Sequence, residues 1–175
     1  MAANDNHCTD DPTVESSEGE HGATLDQLPF AVQFSIWAAR AWVTALKLDQ
    51  PFAMVNGDTL AKFDLLPAEN ALDAFFSIVA GSASRQIDIR CLKCRYVSPD
   101  ERIFQRALMM AQAGNTFAVY TALRDWLPPA AARIAFQPLI TFAQLLAQKG
   151  LRLAPAQDAH VAPRVYHAMP SVALH

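Results

Sequence analysis

What this sequence lacks narrows its chemistry first. It has no P-loop, no dinucleotide-binding G-x-G-x-x-G, no G-x-S-x-G nucleophile elbow and no H-E-x-x-H helix, so the common seats of nucleotide, hydrolytic and metalloprotease chemistry are missing. Its three cysteines cannot all pair within one chain, and 175 residues suffice to bury a core without disulfide staples. No basic stretch followed by an apolar run opens the sequence, so no secretory signal is visible and the expected compartment is cytoplasmic and reducing. None of the five histidines falls inside a predicted core helix, which takes the commonest general base out of any rigid pocket. The balance is against an enzyme, and no catalytic residue is nominated.

Charge is sparse and uneven. Only 18% of residues are charged while 52% are hydrophobic, a composition that must fold. Met1 to Asp26 carries seven acids (Asp5, Asp10, Asp11, Glu15, Glu18, Glu20, Asp26) and no Lys or Arg, leaving ten acids against fourteen bases and a net +4 for the rest. That is far from the concentrated positive field used to bind a phosphate backbone, so no nucleic-acid partner is expected.

The chain divides into an acidic tail over 1–24, a helical domain over 25–150 and an extended Ala/Pro-rich tail over 151–175. The first segment has too few apolar residues to offset the entropy of ordering and is expected to be disordered. The domain reads as all-α, an irregular helical bundle or array of about five to six helices. Its first helix, Leu28 to Leu48, is apolar on nearly every side except a stripe of Asp26, Gln33, Arg40 and Lys47 at seven-residue spacing. The stretch is long enough to span a bilayer, but Arg40 at the membrane centre would cost about 2.5–3.5 kcal/mol. A core helix is therefore the expectation, and a membrane-associated protein anchored by 28–48 is the last-ranked reading.

A short helix after the Asn56-Gly57-Asp58 turn and another from Ala68 to about Ala80, ended by Gly81, follow. The latter buries Leu72, Phe75, Phe76 and Val79 by their helical spacing. Residues 85–91 alternate like a strand, yet no second strand exists to pair with them, so they are read as an extended connector. Ser98-Pro99-Asp100-Glu101 is the clearest helix start, with a capping Ser, Pro at the first helical position and Glu three residues after the Ser. Helices to about Ala113, from Thr116 to Leu127 and from Pro129 to Lys149 complete the set. The last of them is expected to kink at Pro138 and stop at Gly150. Beyond it, Leu153, Val165 and Tyr166 are candidates to lie across the helices. No repeat at the tetratricopeptide period of about 34 residues appears.

The one compact chemical signature is Cys91-Leu92-Lys93-Cys94. Two thiols at this spacing can chelate a tetrahedral metal, zinc or iron, or close a redox disulfide, and nearby positive charge favours the thiolate that either job needs. Against a structural metal stands the want of further ligands: no second C-x-x-C or H-x₃₋₅-H exists, while His7, Cys8, His160 and His167 lie in the tails. Inert, partly buried cysteines are the leading reading, and no cofactor is predicted. Asp158, His160 and His167 have the residue types of an iron triad but no scaffold. Arg40 is the most informative charge: partly buried on the most apolar helix, it needs a partner, for which Asp64, Glu69 and Asp73 are the candidates, and a structural ion pair outranks ligand recognition.

Together these features point to a non-enzymatic helical interaction or regulatory protein with a protein partner or a second copy of itself. Its exposed helix faces, its tails, Met109 and Met110 are candidate contact surface. A metal-binding or redox-sensing protein using Cys91 and Cys94 is the alternative.

Overall fold

The computed structural model describes residues 24–153. Seven α-helices follow a 3-10 turn at Leu25–Gln27: α1 Phe30–Lys47, α2 Phe52–Asn56, α3 Thr59–Lys62, α4 Leu66–Ser82, α5 Pro99–Gln112, α6 Thr116–Arg124 and α7 Pro129–Gln148. There is no strand among the described residues, so the all-α expectation holds. The extra helix is α2, five residues after Pro51, too short to show a helical period in sequence.

Helix ends explain much of the layout. Four of them close with an N–H reaching back five residues to a carbonyl, as in a Schellman motif: Gln50 to Ala45, Leu65 to Leu60, Asn115 to Met110 and Leu151 to Leu146. The residue at the left-handed position is Gly114 or Gly150 in two cases, and Asp49 (φ 52°) or Asp64 (φ 54°) in the others. Gly81, expected to end α4, instead lies within it, since the helix runs on to Ser82. The stop comes at Ala83, where the backbone turns extended and Ser84 N–H donates to the Trp126 carbonyl. Pro138 sits inside α7; the carbonyl it deprives belongs to Ile134, which is 64% exposed, so water can take the place of the lost donor.

Helix α7 packs along α4, with α5 and α6 closing the other side. The centre is aromatic: Phe104 stacks on Phe75 at 5.8 Å and on Phe142 at 6.5 Å, Phe76 leans on Phe104 at 5.3 Å, and Trp126 borders Phe75 at 6.4 Å. Helix α1 joins through Trp42, stacked on Phe76 at 5.3 Å. Its alanines 31, 38, 39, 41 and 45 are all buried, small enough to let neighbouring backbone come close. The burial assigned to Leu72, Phe75, Phe76 and Val79 is observed throughout, and Val119, Leu123 and Trp126 are buried as well. Met109 and Met110, nominated as contact surface, are half-buried and pack partly against the core.

Among the described residues, the one helix long and apolar enough by length and composition to cross a membrane is α7 rather than α1. In this fold α1 buries ten of its eighteen residues against protein.

Leu151 and Leu153 are buried, and Gln112 ties them down: its amide donates to the Leu151 carbonyl at 2.9 Å and accepts from Leu153 N–H at 2.8 Å. Val165, Tyr166, the acidic tail and the Asp158/His160/His167 triad lie outside the described residues.

Candidate functional site

The connector over 85–98 and the first turn of α5 form the most polar place in the interior. Ser98 caps the helix as its sequence implies: Glu101 N–H donates to Ser98 Oγ at 3.0 Å, and the Glu101 carboxylate accepts from Ser98 N–H at 2.9 Å. The same carboxylate then does two further things. It accepts the Arg90 N–H at 3.0 Å, and it grips Arg40 through two bonds, 2.7 Å from Nε and 2.9 Å from Nη2. Arg40 and Glu101 are both wholly shut off from solvent.

This corrects the expected partner. Arg40 is fully buried rather than partly so, and it pairs with none of Asp64, Glu69 or Asp73. Asp64 pairs with Lys149, Glu69 accepts from Asn56 at 3.0 Å, and Asp73 accepts from the Trp42 indole at 2.7 Å. The three candidates belong to α4 and its approach, whereas the Arg40 side chain leaves α1 on the side where α5 and the connector lie. The signal that could have found Glu101 was the adjacent acid pair at the start of α5, of which the capping box uses only part.

Asp100 works the same way toward solvent. It accepts from both terminal nitrogens of Arg85 (3.0 and 2.6 Å), from Asp88 N–H at 2.8 Å and from the Trp126 indole at 3.0 Å. Burial pushes its carboxyl up, but the hydrogen bonds from Arg85, Asp88 and Trp126 outweigh burial and hold it below its ordinary value; the same contact raises Arg85. Buried backbone N–H groups need acceptors. In the connector, two carboxylates take the place of the missing strand partner, while Ile89 turns into the core.

The C-x-x-C segment rides on this network. Cys94 N–H donates to the Cys91 carbonyl at 3.1 Å, closing a tight turn, with Cys91 exposed and Cys94 half-buried. Arg40 Nη1 donates to the Cys94 carbonyl at 2.5 Å and Nη2 to the Tyr96 carbonyl at 2.8 Å. Among the described residues no group of three or more His, Cys, Asp and Glu is placed to hold a metal ion, so Cys91 and Cys94 gain no further ligand there.

Beside the connector runs a two-part groove that the sequence did not advertise. One part, about 570 Å³, lies between α1, α4 and the connector and is walled by Val43, Phe76, Val79, Ala80, Ile87 and Ile89. The other, about 370 Å³, lies between α1, α2 and α4 and carries Glu69, Asn70, Asp73 and Ser77. Trp42 and Leu46 line both parts, so the two are neighbours, and Leu46 stands 52% exposed. Asp73 and Glu69 each commit one oxygen to a neighbour, Trp42 and Asn56. Among the described residues the second oxygen of each accepts no hydrogen bond. An apolar trough beside an acidic one can hold apolar side chains and a cation side by side.

Comparison with known protein families, curated proteins and solved structures returned no match to this chain.

Proposed function

We propose that this protein is a non-enzymatic helical interaction module that holds a segment of a protein partner in the groove along α1 and α4. The segment combines two or three apolar anchors with a Lys or Arg. The observation that carries this reading is the adjacency of an apolar and an acidic trough that share Trp42 and Leu46 as lining. Apolar anchors lose water in the trough walled by Val79 and Ile89, and the cation meets the carboxylates of Glu69 and Asp73. Burial supplies affinity and opposite charge sets direction and selects the partner.

Trp42 gives the assay. A labelled amphipathic helical peptide with Leu anchors one turn apart and a flanking Arg is titrated into the full chain, followed by anisotropy and tryptophan emission, beside the same peptide with Glu in place of Arg. The Arg peptide is expected to bind and the Glu peptide not. Leu46→Asp is expected to abolish binding while leaving stability within about 0.5 kcal/mol, as for an exposed site. Asn70→Lys, which adds a cation at the acidic rim, is expected to reverse the preference between the peptides. Equal binding of both peptides, or binding untouched by either substitution, refutes the reading.

A further inference from the structure

We propose that Cys91 and Cys94 are a redox-modification site, a dithiol that closes reversibly to an intramolecular disulfide by exchange with a small anionic disulfide of the glutathione type. The site is separate from the groove and stands or falls independently of it.

The first support is the turn. A hydrogen bond from Cys94 N–H to the Cys91 carbonyl, 3.1 Å, defines a four-residue turn whose ends lie within about 7 Å between Cα atoms, against the roughly 4.4–6.8 Å that a disulfide spans. The second is what holds the turn from behind. Arg40, itself locked by Glu101, donates to the carbonyls of Cys94 and Tyr96, and Leu25 N–H donates to the Arg95 carbonyl at 2.8 Å. The turn is therefore built by groups other than its sulfurs, and the two cysteines are held at its ends in the dithiol state. A free four-residue peptide must order itself before it can close. The third is access and charge: Cys91 is exposed, and Lys93 within the turn and Arg95 just after it are exposed cations that attract an anionic oxidant.

In the exchange, the Cys91 thiolate attacks one sulfur of the oxidant and expels the other as a thiolate. Cys94, losing its proton, then attacks the Cys91 sulfur of the mixed disulfide and expels the second thiolate. The two cysteines give up two electrons and two protons, and the oxidant's disulfide ends as two thiols.

The full chain is equilibrated in glutathione buffers of rising oxidised fraction, quenched by alkylation and digested with trypsin, which cuts between the two cysteines after Lys93. The expected oxidised species is Cys91-Leu92-Lys93 joined to Cys94-Arg95, formed at a lower oxidised fraction than in the free peptide Cys-Leu-Lys-Cys and removed by dithiothreitol. Cys91→Ser and Cys94→Ser should each leave a glutathione adduct on the remaining cysteine. Glu101→Gln, which leaves the sulfurs untouched, should shift product severalfold from the linked peptide toward adducts; if that variant does not fold, the single-cysteine variants and the free peptide still decide. Adducts on both cysteines without the linked peptide, a link to Cys8, or closure no easier than in the free peptide would each overturn the proposal.

Discussion

The two halves of the interior are joined by opposite means. Where α4, α5 and α7 meet, Phe75, Phe76, Phe104 and Phe142 touch in stacked, tilted and edge-on pairs, and the contact is apolar, adaptable and shared among many atoms. Where α1 meets α5 and the connector, a few directed bonds to Glu101 and Asp100 carry the joint: together the two carboxylates accept eight hydrogen bonds, two each from Arg40 and Arg85, one from Trp126 and three from backbone N–H groups. An apolar joint tolerates a change of shape and punishes a loss of volume. A polar joint tolerates neither loss of charge nor loss of geometry, because each deserted donor is left dry.

The largest effect should come from halving the buried pair. Glu101→Ala leaves Arg40 charged and unpartnered and is expected to cost about 3–5 kcal/mol by urea denaturation. Arg40→Ala should cost a similar amount, and the double variant should cost less than the sum of the two, as contacting residues do. Additive costs would mean that the pair is not the joint it looks to be.

A smaller effect is expected at Asp100. Asp100→Asn keeps the shape but loses the charge that Arg85 and the Trp126 indole address, and should cost about 1–3 kcal/mol. Because the folded carboxyl sits below its ordinary value near 3.8, its stabilising contribution is complete above that value and is lost as pH falls through the lower folded value. Acid titration of stability below about pH 4 should therefore be shallower in Asp100→Asn than in the natural chain. An unchanged acid limb would remove Asp100 from the account.

The smallest effect belongs to the apolar half. Leu108→Met, at a wholly buried site, preserves volume and should cost under about 1.5 kcal/mol. A larger loss there than at Asp100 would reverse the contrast between the two joints.

The helices were legible because periodicity and end signals are local. Ser98, Pro99 and Glu101 announce α5 at its first turn, and Gly114 and Gly150 mark ends where a positive φ is needed. Asp49 and Asp64 mark two more ends in the same conformation, but aspartate has many other uses and the signal is ambiguous. Gly81 was misleading for the complementary reason: a glycine permits a helix to end without requiring it. Of the candidate site, the C-x-x-C spacing of Cys91 and Cys94 and the need of Arg40 for a structural ion-pair partner could be read, while the groove could not, since its walls come from α1, α4 and the connector, far apart in the chain.

The sequence by itself determined that this protein is all-α, where its main helices begin, which faces they bury and that residues 85–91 form neither helix nor paired strand. These follow from spacing and capping, in which each residue acts on neighbours a few positions away. Only the tertiary structure decided that Glu101, sixty-one positions from Arg40, is its counter-ion, that Asp100 and Glu101 supply the acceptors the connector lacks, and that Trp42 walls a groove with an apolar and an acidic end. Pairing a buried charge depends on which helix faces come together in space, and several acids in the chain met the local requirements equally well.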